Sequence, residues 1–173
     1  MIGKSTVIVE DRLKEMFAYL PTMLGADANL YPVVFKSGDQ KELLAFFQQS
    51  QGKTNYPLLW LEMPYQEKHI NRKRVDVDRL SLILAVETNA EMLNSERLEN
   101  TFKPILYPLL DRVLDVFTVS NTLDYDSNFE IMKFSNYSDQ AEGEAGTFAD
   151  IWDAIKLTLD VSINDNCLRE IKI

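Results

Sequence analysis

The stretch "DIWDAIKLTLDVSIN", residues 150–164, decides how this chain folds. Ile155, Leu157, Leu159, Val161 and Ile163 fall on one side of it. Lys156, Thr158, Asp160 and Ser162 fall on the other, which is the period of two that a half-buried β-strand requires. A strand of this length needs partners along its edges and a layer to cover its apolar face, and the rest of the sequence is read for both.

Working outward, "NFEIMKFSN" predicts a strand over Phe129–Ser135, and the two strands are joined by "SDQAEGEAGTFADIW", residues 138–152. That connection carries Asp139, Glu142, Glu144 and Asp150 without one basic residue, and Gly143 and Gly146 loosen its backbone. It is longer than a turn between two strands requires, so it reads as a hairpin loop that serves a partner. Further upstream, "RVDVDRLSLILAVET" alternates Val75, Val77, Leu80, Leu82, Leu84 and Val86, with a change of phase near Asp78 that predicts a bulge. "YPLLWLEMPY", Tyr56–Tyr65, is a continuous apolar run between prolines, the pattern of a strand buried on both faces. The loop between these two contains Lys68, Arg72, Lys73 and Arg74 and closes a hairpin. "YPVVFKS", Tyr31–Ser37, completes the set as an edge-like strand with Pro32 at its mouth.

Three helices are available as cover. Val9, Leu13, Met16, Phe17 and Leu20 share one stripe over Thr6–Leu20, and Pro21 ends it. "DQKELLAFFQQS" opens with Asp39 and Glu42 in capping-box spacing. The longest pattern, Asn94–Ser120, stacks Leu98, Phe102, Ile105, Leu106, Leu109, Leu110, Val113, Leu114 and Phe117. Pro104 and Pro108 interrupt it, which predicts a bend or break near Lys103–Pro108. The order α-β-α-β-β-α-β-β gives an α+β fold: a two-layer arrangement in which a mainly antiparallel or mixed sheet of about five strands carries two or three helices on one face. No linker divides the chain, so residues 1–173 are expected to form a single domain, with a core over 5–164 and a C-terminal extension over 165–173.

Composition narrows the function classes. A net charge of −9 argues against binding to a nucleic-acid backbone. The charge is uneven, with the basic run Lys68–Arg74 set against eight carboxylates and one lysine between Asp124 and Asp153. Opposite patches on one small domain suit head-to-tail association. No apolar run approaches the roughly 20 residues that cross a bilayer, the N-terminal residues lack a secretory pattern, and the single cysteine, Cys167, excludes an internal disulfide. The expected setting is a cytoplasm.

Chemistry is hard to find. "GKST" at Gly3–Thr6 lacks the earlier glycine and strand of a phosphate loop. The lone His69 reads as a solvent-exposed loop residue, and Cys167 has no histidine nearby. One His and one Cys cannot close a zinc site. Counted from Asp139, Gly143 is fifth where a calcium loop needs it sixth, and position twelve is Asp150 where that loop needs glutamate. Glu62 beside Trp60 and Tyr65 is the one carboxylate in an aromatic setting, and it reads as a solvent-facing or ion-paired strand residue. No catalytic residue, cofactor or metal ligand is therefore assigned. Trp152, at the junction of loop and strand and opposite the Ile155 stripe, reads either as an anchor for a partner or as a core tryptophan under the long helix.

The order of these features resembles the tail-terminator and tail-completion proteins of tailed bacteriophages. The likeness spans about residues 5–164: a proline-started strand at Tyr56-Pro57-Leu58, a helix with the aromatic-proline pair Tyr107-Pro108, and the loop Asp139–Trp152 before a final alternating strand. The helix near Asp39–Gln51 and the tail Asp165–Ile173 depart from the short members of that family. The resemblance implies a non-enzymatic virion protein assembled in the bacterial cytoplasm. It would form a ring, usually of six copies, that stops the tail tube, offers the head or neck connector a surface, and lets DNA pass through its lumen unbound. A head–tail joining protein of the same fold and a small ligand-binding or adaptor domain are the alternatives. Lys68, Arg72, Lys73, Arg74, Asp139, Glu142, Glu144 and Trp152 are the residues expected to meet a neighbouring subunit or the tube.

Overall fold

In the computed structural model, which describes residues 6–50, 54–89, 91–137 and 150–165, the chain opens with α1 (Val9–Phe17) and a short hairpin of β1 (Met23–Leu24) and β2 (Leu30–Tyr31). β3 (Val34–Gly38), α2 (Gln40–Gln49), β4 (Leu58–Glu62), β5 (Gln66–Asn71) and β6 (Arg74–Asn89) follow. α3 (Asn94–Arg97) then runs through a π-helical stretch (Leu98–Leu106) into α4 (Tyr107–Val119), and β7 (Leu123–Phe134) and β8 (Asp150–Asn164) finish the fold. The alternating segment over residues 150–164 is β8. It lies inside the sheet, paired antiparallel to β6 from Arg74↔Asn164 to Asn89↔Asp150 and to β7 on its other side.

The sheet has the order β3-β4-β6-β8-β7, and β5 follows β4 along the same side of β6. β3 and β4 are parallel because α2 carries the chain back across the sheet, and every other pairing is antiparallel. This is the expected α+β arrangement, with helices packed on a mixed sheet. The Ile155 stripe joins Leu59, Leu61, Leu82 and Leu84 under α1 and the long helix, whose Phe102, Ile105, Leu109, Val113 and Phe117 close the main core. Burying such side chains, at roughly 1.5–3 kcal/mol for each large one, is what holds helix to sheet.

α2 departs from the expectation of a common helical face. Its Leu43 and Phe47 cover Leu58, Trp60, Ile83, Ala85, Trp152 and Ala154 on the opposite side of the sheet. The cause lies in β4: Leu58 and Trp60 point one way and Leu59 and Leu61 the other, all of them buried, so both faces of that strand need cover. α2 begins with the predicted capping box. Asp39 Oδ1 accepts from the Glu42 N–H at 2.8 Å, and Glu42 Oε2 accepts from the Asp39 N–H at 2.8 Å.

Two irregularities were legible as disturbances of period. The pairing of β6 with β8 shifts between Val77 and Leu80, where Arg79 takes a φ of 54° and its N–H donates to Asp160 Oδ1 at 2.6 Å. In the long helix the prolines produce neither a break nor an end. Pro104 sits inside the π-helical stretch, whose wider turn accommodates a ring that would clash with the carbonyl four residues earlier in an α-helix, and Pro108 is the second residue of α4, just past the change of register.

Candidate assembly surface

The four predicted cations come together. Lys68 lies on β5, which is a strand where a loop was expected; Arg72 and Lys73 form the turn, and Arg74 begins β6. All four are exposed. The Asn71 side chain accepts from the Lys73 N–H at 2.7 Å and fixes the turn. Arg74 Nε contacts Asp76 Oδ1 at 3.2 Å, and the same carboxylate accepts from Ser162 Oγ at 2.6 Å. The Ser162 hydroxyl, then Arg74 and Lys68, hold the Asp76 carboxyl below its usual range. His69 sits on β5 against Glu67, at 2.7 Å.

At the other side of the sheet, β7 presents an edge of 12 residues, exposed along most of its length. Asp124, Asp126 and Glu130 are exposed on it, and so are Phe129 at 40%, Ile131 at 43% and Met132 at 58% of their full surface. Its cation, Lys133, is drawn over the rings of Phe102 and Tyr107. Among the described residues, no strand pairs with the outer edge of β7 or with that of β5. Rows of unpaired N–H and C=O groups flanked by apolar side chains are a template for another strand. β5 carries Lys68, Glu67 and one exposed apolar residue, Ile70, with the other cations in the turn and at the start of β6; β7 carries the carboxylates and three exposed apolar residues.

Trp152 is not part of this surface. It is fully buried, stacked on Phe47 of α2 with ring centroids 4.4 Å apart and planes 17° from parallel. The predicted side of the strand is right, but α2 covers that side, so Trp152 is a core residue beneath α2 and not beneath the long helix. Asp139, Glu142 and Glu144 lie outside the described residues.

Beside Trp152, sequence reasoning missed a buried ion pair. Arg97 and Asp153, 4% and 0% exposed, meet at 2.7 Å. Arg97 also donates to Met92 O, Thr88 Oγ1 and Asn89 O, and Asp153 accepts from the Asn136 N–H. Burial pushes the Asp153 carboxyl up from its ordinary value, and Arg97 pulls against that rise. The pair fastens the start of the long helix to β8. A signal existed: Asp153 is in phase with the Ile155 stripe, and a carboxylate on an apolar face demands a buried cation.

The candidates for catalysis do not converge. Trp60 is buried with its indole N–H donating to Gly38 O at 3.0 Å, Glu62 is paired with Lys156, and Tyr65 donates to Glu10 at 2.6 Å. Among the described residues no group of three His, Cys, Asp or Glu side chains could hold a metal ion. A cavity of about 290 Å³, lined by Thr54, Asn55, Glu87 and Thr101 together with the apolar Val86, Met92 and Ile105, opens beside the β1–β2 hairpin. Its Glu87 accepts from the Thr54 N–H at 3.2 Å. Among the described residues no helix is long and apolar enough to cross a membrane. Comparison with protein-family models and with curated proteins finds no match.

Proposed function

We propose that this chain is a non-enzymatic structural protein of a tailed-bacteriophage virion, a ring subunit that ends the tail tube and gives the head or neck connector a surface to dock on. One observation carries the reading: among the described residues the β5–β6 hairpin, with Lys68, Arg72, Lys73 and Arg74 exposed, stands on one side of the sheet, and the unpaired edge strand β7, with Asp124, Asp126 and Glu130 exposed, stands on the other. Patches that differ in this way join copies head to tail, and such joints close into a ring when the rotation between copies divides a full turn. The net charge of −9 supports a lumen through which DNA slides without being held. The order of elements that resembles tail terminators supports the virion assignment.

Sedimentation over a wide concentration range tests it. The chain is expected to move from its monomer mass of 19.9 kDa to one discrete closed species, with a ring and central opening visible in electron micrographs. A chain that stays monomeric at every concentration overturns the reading.

A further inference from the structure

Backbone bonding on the two sides of the sheet fixes which groups face outward. On β3 the Val34 N–H donates to Pro57 O at 3.1 Å, and Gly38 O accepts from the Met63 N–H at 2.9 Å. Val34, Lys36 and Gly38 are therefore turned to β4, and the N–H and C=O of Phe35 and Ser37 point away from the sheet. On the other side the Asn164 N–H donates to Thr122 O at 2.8 Å, so the even-numbered residues of β8 are turned to β7. Glu130, Met132 and Phe134 are opposite Thr158, Lys156 and Ala154, which leaves the backbone groups of Ile131 and Lys133 pointing outward. Among the described residues no strand takes up either outward set. β3 is also what projects farthest on its side, because it lies one strand beyond β4, whereas β5 follows β4 along β6.

We infer that β3 of one copy pairs antiparallel with β7 of the next, and that Met132 of β7 seats in a groove between β3 and α2 of that neighbour. This rests on the ring reading above and specifies its joint. Strand direction agrees with it. β3 is parallel to β4, and direction then reverses at β6, at β8 and at β7, so β3 and β7 of one copy run oppositely. A neighbour added around a ring in the same sense keeps them antiparallel. The rows of the sheet supply the register: Lys36, Trp60, Ile83, Lys156 and Met132 are opposite one another in turn across its five strands. Continuing that row through the joint sets Lys36 opposite Met132, with Glu130 diagonal to it, and Val34 opposite Phe134. The same register brings outward Phe35 and Ser37 to outward Lys133 and Ile131, so the backbone groups meet in phase.

Side chains fit this arrangement. Residues of that row lie on the face that α2 covers, where Lys36, Ala45, Phe46, Gln49 and Trp60 line a groove of about 390 Å³. Met132, at 58% the most exposed of the apolar residues of β7, is the side chain the row carries to that groove. On the other face exposed Ile131 comes beside Ser37 and Phe35. Lys68, Asp76, Ser162 and Asp124 form a second row, at the end of the sheet where β5 lies. Since β5 stands one strand back from β3, Lys68 faces Asp124 of the adjoining copy across two strand spacings, roughly 9.5 Å, and the charges approach without a clash. The joint removes the free edges of β3 and of the facing part of β7. β7 paired with β7 about a twofold axis would leave the β3 edge open and the groove unfilled.

Engineered cysteines test the joint. Lys36→Cys and Met132→Cys are placed together in a chain whose one native cysteine is removed by Cys167→Ser. A second chain carries Ser37→Cys with Ile131→Cys. Opposed residues of an antiparallel joint stand about 4.5–5.5 Å apart at Cα, within the distance a disulfide spans. Under mild oxidation each double variant is expected to give a ladder of disulfide-linked multimers that ends at the ring species, and each single variant to stay unlinked. Met132→Lys, which sets two cations opposite each other at an exposed position, is expected to stay folded by circular dichroism and to need a roughly tenfold higher concentration or more for half-assembly. Rings of the parent with linkage in neither double variant overturn the joint and leave the ring reading standing, as do rings formed by Met132→Lys as readily as by the parent. Linked dimers from Met132→Cys alone point to β7 paired with β7 and also overturn the joint. A ladder that never closes supports the joint and overturns the ring. A parent without rings whose double variants do not link overturns both.

Discussion

At the scale of single residues, Trp152 and Asp153 show what one β-strand can do with adjacent positions. Trp152 stacks on Phe47 on one face of the sheet, and Asp153 holds Arg97 on the other. Trp152→Ala is expected to cost about 3–5 kcal/mol by urea denaturation, because the cavity lies under a helix with no means of collapsing onto the sheet. A cost below about 1 kcal/mol would mean that Trp152 is a surface residue after all. Asp153→Ala, which leaves the Arg97 guanidinium buried without a counter-charge, is expected to cost about 3–5 kcal/mol, whereas the paired replacement Arg97→Met with Asp153→Leu is expected to melt at or above the parent temperature. Asp76 supplies a pH test. Its folded-state carboxyl is held below the ordinary 3.8, so its contribution to stability is present above that value and is lost as pH falls through and below it. The melting temperatures of parent and Asp76→Asn should therefore differ at neutral pH and converge on acidification. At this scale the sequence was an incomplete guide. The period of β8 assigned Trp152 to the correct face, but nothing local to Trp152 indicated that a helix more than a hundred residues earlier would cover that face.

At the scale of elements, periodicity carried most of the fold. β6, β8, α1 and the long helix announced themselves through spacing, β4 through a continuous apolar run, α2 through its capping box, and the bulge at Asp78–Arg79 through a change of phase. The misses have physical causes. β1 and β2 are two-residue strands, too short to have a period. They are held by Gly25, whose N–H donates to Asn29 O, and by the Ala26 N–H, which donates to Asn55 O. An added Cβ at Gly25 would come within 2.1 Å of Asn55 O, so Gly25→Ala is expected to lower the melting temperature by displacing this hairpin. β5 was masked by its charge, since a strand exposed at every position shows no alternation. The prolines of the long helix predicted a bend or a break; the helix is unbroken, and at Pro104 it takes a π-helical register. Arg79 gives a test of the bulge. A non-glycine residue at φ 54° is strained by about 1 kcal/mol, so Arg79→Gly is expected to leave stability equal or raised by up to that amount, with a clear loss showing that the arginine side chain itself holds the bulge.

At the scale of the whole molecule, the proposed self-association is supported by charge patterning and strand order. Charge patterning identified Lys68, Arg72, Lys73 and Arg74 as a patch, and the structure adds that this patch borders an open strand edge. The acidic counterpart on the described surface is β7, with Asp124, Asp126 and Glu130 from the acidic stretch Asp124–Asp153, and the strand order puts it on the opposite side of the sheet from β5. No reading of the sequence alone could have placed those two edges at opposite ends of one row. Because the charges proposed to join copies are exposed, assembly is expected to weaken as salt rises from low to physiological strength and beyond, as screening shortens the reach of each pair. The most direct measurement is electron microscopy of the concentrated parent chain at low salt, with particles classified by copy number. Closed rings of one size, each with a central opening, are the expected result; monomers, twofold dimers or open-ended chains would contradict head-to-tail closure.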